Sequence, residues 1–457
     1  MLIYLLVRLF TRKREFIEGD ELRHMATAKN FYKLWNRSFY DTHPPLYSWF
    51  MKKFAGLDFF LWRRFIGYYR AGVMVSLLSS IGLYLICLRL YEALGMTEPQ
   101  RTIAITCLTF NYTLIYYSNK AFRYQLIALL GTAMIYLGVI HSYLLMGVCW
   151  GLLSLTCSFM GLRAFWIWLA FPNIVSLVPF IALYGSWIKK KLNIYNTHDY
   201  YPSGIDGKIE PVYDPTIKQL ISPLYFSWNY AYYGKRELGY DFKNWHKKIG
   251  GVFGLYKPLG FLVPIALFFM IRGMLSSPWQ LTGLTLILLY PSLLKRFLPR
   301  NSIIAIPLIC YFIGKGFPYV LPQWVYFALW GVLPVFLWFH REICLREPKI
   351  KANVISRFLN HLPKDGILVE GLIAYPIAYR SHKRVVVLPH EPDPAIAKFQ
   401  TDLSIDKLDL NYAVFSDLWK TEEHLGYPAI DYIKTFNLIK TIKEDNDTYY
   451  IYDLLHL

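Results

Sequence analysis

The chain has 457 residues, of which 55% are hydrophobic, 18% aromatic and only 18% charged. Because soluble globular proteins carry about 25% charged residues, the composition excludes an ordinary soluble enzyme, a disordered chain and a disulfide scaffold. The net charge of +18 is typical of cationic loops that face anionic lipid and set membrane topology. No RNA-binding or helix-turn-helix signature points to nucleic acid as a partner. The sequence predicts a polytopic membrane protein with soluble parts.

Membrane-spanning helices are predicted wherever the chain runs free of Asp, Glu, Lys and Arg, because a bilayer core needs about 20 apolar residues per helix. The first ten residues are apolar except for Arg8 and are too few to cross. They form either the end of a first span or an interfacial segment, and no small-residue cleavage site follows to mark a signal peptide. About nine to eleven spans are predicted, nine of them from the runs at 71–88, 102–119, 124–162 (two spans, with a turn at His141–Ser142), 164–187, 258–271, 273–294, 301–314 and 316–340.

Three regions are polar enough to lie outside the hydrocarbon. Residues 13–70 form the first long loop, in which 52–67 interleave bases with aromatics and predict a helix in the membrane interface. Residues 191–257 form a second long loop, rich in tyrosine, whose aromatic rings suit either a sugar or the membrane interface.

The third polar region, 341–457, has a different pattern from the rest of the chain. Helical runs give way to short strand-like runs separated by turn signals, at 367–369, 385–388, 413–415 and 449–452. The sequence therefore predicts two parts, a membrane module over 1–340 and a small soluble α/β domain over 341–457.

Charge does not decide the orientation in the membrane. The short loop 89–101 carries arginine at both ends and suits the cytoplasm, which would place the first long loop outside. The basic run 12–14 indicates the opposite.

An acidic turn opens the first long loop. Glu18, Gly19, Asp20 and Glu21 follow the N-terminal apolar segment, and His43 precedes two prolines about twenty residues later. Carboxylates held by a glycine turn near a histidine suit proton-transfer chemistry. From spacing alone, an ordinary solvated acidic turn is the better explanation.

With the helix of small residues between them, the Gly-Asp-Glu and His-Pro-Pro-Leu-Tyr motifs resemble the GT-C glycosyltransferases. The likeness is greatest to the branch of protein O-mannosyltransferases and aminoarabinose transferases. Arg123 precedes the run that starts at 124. It resembles the arginine of the Arg-Pro-Asp motif with which one span of the family begins, with other residues in place of Pro and Asp. Residues 147–159 resemble a glycine-rich span that in the family ends with Lys, and Arg300 falls in a stretch like the family's late Arg-Tyr…Pro. Residues 366–389 resemble the first strands of its periplasmic domain.

The resemblance implies a helical GT-C bundle with the first loop extracytoplasmic. It implies a multi-pass protein of the cell membrane that moves a sugar from polyprenyl phosphate, dolichyl or undecaprenyl, to a glycan, lipid or protein acceptor by an inverting single displacement. Asp20 becomes the candidate catalytic base, and Glu21 the second choice, either orienting the acceptor or holding the loop. No obligatory metal or other cofactor is predicted. His43 either orients Asp20, binds a metal or caps the turn, and a metal would need two or three more ligands.

The departing lipid phosphate needs cations, because negative charge develops on it. The candidates are bases at membrane depth or near the first loop, namely Arg123, Arg300, Lys295, Arg296 and Lys53. Snorkelling towards lipid head groups is the alternative explanation for each.

Two other functions remain open. A transporter or flippase of lipid-linked sugars would explain the spans and the bases, but it would not explain the acidic motif or the C-terminal domain. A non-catalytic relative would explain the altered residues after Arg123 and the missing lysine after 147–159.

Overall fold

The structure is a computed structural model. It describes residues 1–11, 19–29, 46–55, 67–185, 252–253, 263–290, 299–318, 338, 342–343, 349–387, 398, 401–402, 405–406, 409–417, 428–444 and 447–454.

The described residues of the first part of the chain are mostly helical. Its helices, in chain order, are α1 Leu2–Leu9, α2 Gly19–Lys29, α3 Leu46–Phe54, α4 Tyr68–Ala93, α5 Glu98–Phe110, α6 Tyr112–Ser118, α7 Tyr124–Val139, α8 Tyr143–Thr156, α9 Ser158–Arg163, α10 Phe165–Ala170, α11 Ile174–Gly185, α12 Val263–Leu275, α13 Trp279–Leu289 and, after a 3₁₀ segment Pro299–Ala305, α14 Ile306–Gly316. Within the described residues, α4 alone is long and apolar enough to cross a membrane, and several of the others are apolar helices of 10–17 residues.

Two predicted spans correspond to a pair of apolar helices of 16 and 14 residues. The run 124–162 contains α7 and α8, and the turn between them falls at His141 and Ser142 as expected. His141 adopts the left-handed backbone conformation, with φ of 59°, and the N–H of Ser142 closes the turn on the carbonyl of Leu137 at 2.8 Å.

The predicted span 102–119 is instead two helices, α5 and α6, broken at Asn111. Asn111 has extended backbone angles, and its side-chain oxygen caps α6 by accepting from the N–H of Leu114 at 3.1 Å. Its amide also donates to the carbonyls of Val252 and Phe253, each at 3.1 Å. The break is therefore stabilised by a contact with a distant segment, which no local pattern reveals.

The C-terminal part is an α/β domain with a mixed sheet, as predicted. Its elements are α15 Asn353–His361, β3 Gly366–Val369, α16 Gly371–Arg380, β4 Arg384–Val387, β5 Leu410–Ser416, α17 Pro428–Ile433, β6 Asn437–Glu444 and β7 Asp447–Asp453. The strand order is β4-β3-β5-β7-β6. Strand β3 is parallel to β4 and β5, and strand β7 is antiparallel to β5 and β6. The four strand-like runs of the sequence correspond to β3, β4, β5 and β7. The edge strand β6 was not predicted, because most of its residues are exposed and form no apolar run.

Among the described residues, a strand pair and helix α2 both connect the helical part to the C-terminal part. β1 (Phe10–Thr11) pairs antiparallel with β2 (Glu342–Ile343). Helix α2 packs against α16, and Ala26 of α2 belongs to the apolar core of the α/β domain. Helix α2 therefore lies between the helical part and the domain, and its position depends on both.

Candidate active site

Helix α2 carries the acidic motif, and Asp20 lies in its first turn. Glu21 and His24 are three residues apart and so share one face of the helix. Both side chains are buried, with 0% and 5% of their surface exposed. The Glu21 carboxylate accepts a hydrogen bond from the N–H of Ala121 at 3.0 Å. This bond joins the first long loop to the segment that precedes α7, where Arg123 lies.

A buried tyrosine reinforces this junction from α3. The hydroxyl of Tyr47 donates to the carbonyl of Gly72 at 3.0 Å and lies 3.2 Å from the hydroxyl of Ser76. Ser76 in turn donates to the carbonyl of Phe122 at 2.8 Å, and the ring of His24 meets that of Tyr47 edge-on at 5.0 Å between centroids. Burial raises the pKa of Tyr47, and the nearby negative charge of Glu21 raises it further. The phenol therefore stays neutral and acts as a hydrogen-bond donor.

Close packing accompanies these hydrogen bonds. A Cβ on Gly72 would lie 2.6 Å from the Cβ of Ala121 and 2.9 Å from the terminal carbon of Met51. Such distances are far below van der Waals contact, so α4 approaches the segment before α7 closely only because residue 72 is glycine.

Two cations flank Ala121 along the chain. Arg123, predicted from the sequence, is the residue before α7 and is 9% exposed. Lys120, which sequence reasoning missed, is 2% exposed; its Nζ lies 3.6 Å from the centroid of the Tyr116 ring and bonds to the Tyr116 hydroxyl. Buried charged side chains are concentrated at functional sites, so the segment that carries Lys120 and Arg123 next to the Ala121–Glu21 bond is a candidate anion site.

Of the other predicted cations, Lys53 alone has a side chain within the described part of the structure. Lys53 is exposed at the end of α3, with its Nζ 5.6 Å from the centroid of the Trp49 ring. The backbone of Arg300 lies in the 3₁₀ segment before α14. Some predictions fall outside the described residues, namely those for His43, Lys295, Arg296, the side chains of Asp20 and Arg300, the interfacial helix beyond residue 55, the span 316–340 and nearly all of the aromatic loop 191–257.

A third buried cation has a structural role. Arg8 of α1 is 1% exposed. Its guanidinium donates to the carbonyls of Thr109 at 2.6 Å and Leu108 at 3.1 Å, and to the hydroxyl of Ser80 at 3.2 Å. These bonds fasten α1 to α4 and α5.

Comparison with known proteins supports the resemblance seen in the first loop at the level of the fold. No family model matches the chain, and no curated protein matches it in sequence. Among solved structures, ArnT from Cupriavidus metallidurans bound to undecaprenyl phosphate superimposes with a TM-score of 0.61 at 12% sequence identity, over 98% of this chain and 96% of that chain. The apo state of the same protein gives a TM-score of 0.58 at 11% identity, with the same coverage. The chain thus shares the ArnT fold over nearly its whole length.

Proposed function

We propose that the chain is a membrane glycosyltransferase that moves a sugar from a polyprenyl-phosphate donor to an acceptor at the extracytoplasmic face. The observation that carries the proposal is the hydrogen bond from Ala121 to Glu21. It joins the helix that bears Asp20 to the segment that bears Lys120 and Arg123. A carboxylate for the acceptor and cations for the leaving phosphate are the two groups that this transfer needs.

In the proposed reaction, Asp20 takes the proton of the acceptor hydroxyl. The acceptor oxygen forms its bond to the anomeric carbon while the bond from that carbon to the phosphate oxygen breaks. The polyprenyl phosphate leaves with one more negative charge than it had in the donor. Lys120 and Arg123 stabilise that charge, with Arg300, Lys295 and Arg296 as further candidates. The anomeric configuration inverts, because there is a single displacement.

Glu21 is proposed as a positioning residue rather than as the base. Its carboxylate is fully buried and already accepts the N–H of Ala121, so its contribution is to hold α2 against the segment of Lys120 and Arg123. The reaction slows when the contacts that support a catalytic group loosen, because small displacements from the productive geometry are costly.

The lipid carrier is proposed by analogy of fold. The ArnT structure was determined with undecaprenyl phosphate bound. The apolar helices, α4 among them, are proposed to form a multi-pass bundle over residues 1–340. A polyprenyl phosphate fits such a chain because its prenyl tail is soluble in the hydrocarbon that surrounds the bundle. The acceptor is a glycan, a lipid or a protein, and no obligatory metal is proposed.

The test is transfer by purified wild-type protein in liposomes supplied with radiolabelled polyprenyl-phosphate sugars and cell-envelope acceptors. A transferase gives label in a new glycosidic product and free polyprenyl phosphate. If label instead moves across the bilayer with the donor intact, the chain is a transporter, and the proposal is wrong. Binding of the donor without either event would identify a non-catalytic relative.

A further inference from the structure

A cavity of about 370 Å³ lies where α2, the start of α4 and the α/β domain meet. Three cations line it, one from each of three helices: Lys29 from α2, Arg357 from α15 and Arg380 from α16. None of the described residues that line it is an aspartate or a glutamate. Like charges gathered without a counter-charge repel one another, so the cavity is electrostatically complementary to an anion.

The polar lining is built into helix α15. Asn353, Ser356, Arg357 and Asn360 all line the cavity, and their spacing of three, four and seven residues places them on one face of the helix. The opposite face packs into the apolar core of the domain. The first N–H groups of α15 are already bound by the carboxylate of Glu444, so the polar stripe, rather than the helix terminus, faces the ligand.

The amide side chains of this stripe are oriented as donors. The oxygen of Asn353 accepts from Arg380 at 3.1 Å. The oxygen of Asn360 accepts from the Ser381 hydroxyl at 3.0 Å and from the His382 N–H at 2.9 Å. Because each amide oxygen is engaged, the NH₂ group of each amide remains to donate to a ligand.

Lys29 and Arg380 are held by carbonyl, amide and aromatic groups of the described residues. Lys29 donates to the carbonyl of Tyr379 and lies 5.2 Å from the centroid of its ring. Arg380 donates to Asn353 and to the carbonyl of Ile350, and its buried Nε has no hydrogen-bond partner among the described residues. Burial lowers the pKa of Lys29, and the charge of Arg380 lowers it further. A bound anion would offset both effects.

We propose that this cavity binds a phosphate group and that the bound phosphate links α2 to the α/β domain. Two arginines and a lysine suit a phosphate because its several oxygens accept from planar guanidinium groups and from amides at once. Tyr68, which also lines the cavity, begins α4, the helix long enough to cross a membrane. The phosphate therefore comes either from a lipid head group at the membrane surface or from a soluble phosphate ester.

This site is separate from the proposed transfer site. Lys29 ends α2, whereas Asp20 and Glu21 lie in its first turn. At 1.5 Å per residue the two ends are about 12 Å apart along the helix. The inference does not depend on the transfer reaction, and its test needs no activity.

The test measures phosphate binding to the full chain in phosphatidylcholine nanodiscs, by the rise of the thermal midpoint with inorganic phosphate. The variant K29Q/R357Q removes two lining charges. The control K364Q/K443Q removes two exposed charges of the α/β domain that are outside the lining. We expect wild type and control to respond alike, and K29Q/R357Q to need at least about tenfold more phosphate for the same rise, since each charged hydrogen bond is worth about a factor of ten. An equal response of K29Q/R357Q and wild type overturns the proposal.

Two further measurements keep the result decisive. If K29Q/R357Q does not fold, R357Q alone is tested, because Arg357 is exposed. The variant K29R/R357K keeps both charges and should retain the response.

The source of the phosphate is identified by comparing glycerol phosphate in solution with phosphatidylglycerol in the nanodisc. A response to glycerol phosphate that needs Arg357 identifies a soluble ester, and one to phosphatidylglycerol identifies a lipid head group. No Arg357-dependent response to either, or to inorganic phosphate, overturns the proposal.

Discussion

Replacing Glu21 by glutamine and by leucine separates a positioning role from a catalytic one. The bond from Ala121 N–H to the Glu21 carboxylate spans 3.0 Å between fully buried groups. A hydrogen bond to a charged group contributes about 1.5–3 kcal/mol and one to a neutral group about 0.5–1.5 kcal/mol. Glutamine keeps an acceptor oxygen, so Glu21→Gln should cost about 1 kcal/mol in the free energy of unfolding. Leucine removes the acceptor and leaves the N–H of Ala121 buried and unsatisfied, so Glu21→Leu should cost about 2–3 kcal/mol.

The assay is reversible unfolding in mixed micelles, with sugar transfer measured on the same preparations. We expect Glu21→Gln to keep transfer within about tenfold of wild type, and Glu21→Leu to lose far more, because α2 is no longer held against the segment of Lys120. Equal stability of Glu21→Leu and wild type would refute the role of the hydrogen bond. Loss of transfer by orders of magnitude in Glu21→Gln, with stability intact, would make Glu21 the base.

Three further predictions concern the buried cations. Arg8→Leu removes three hydrogen bonds and should lower the free energy of unfolding by about 2 kcal/mol or more; a variant as stable as wild type would contradict the structural role. Lys120→Gln should lower kcat/KM for the donor by about 10–100-fold, measured by initial rates, and an unchanged value would remove Lys120 from the phosphate site. Phosphate binding should weaken as the pH rises towards the ordinary pKa of lysine, because phosphate favours protonated Lys29, whose pKa burial and Arg380 lower from the usual value. An arginine side chain stays charged to higher pH than a lysine, so Lys29→Arg should flatten the profile, and a wild-type profile that is already flat would contradict the assignment.

Local patterns predicted the features whose causes are local. The turn at His141 and Ser142 is marked by polar residues inside a charge-free run, and the helices on both sides are apolar throughout. Strand β3 begins at Gly366, one residue before the predicted strand-like run 367–369. Asn111 broke a predicted span because its side chain bonds to residues 252 and 253, more than a hundred positions later.

The candidate site was predictable only in part for the same reason. The acidic motif is contiguous and could be recognised by resemblance. Its partner, the N–H of Ala121, lies 100 residues away, and a backbone donor has no signature in the sequence. Lys120 was overlooked because it falls in the short interval between two charge-free runs. The signal was present, since a lysine three residues before Arg123 places two cations at one span boundary.

The most direct test of the account compares sugar transfer by wild type and Asp20→Asn in purified membranes at matched protein levels, with a radiolabelled polyprenyl-phosphate sugar. Asparagine keeps the size of the side chain but cannot accept the proton. The account predicts that Asp20→Asn folds and inserts as wild type does, with transfer lower by orders of magnitude. Equal transfer by both proteins would contradict the assignment of Asp20 as the base.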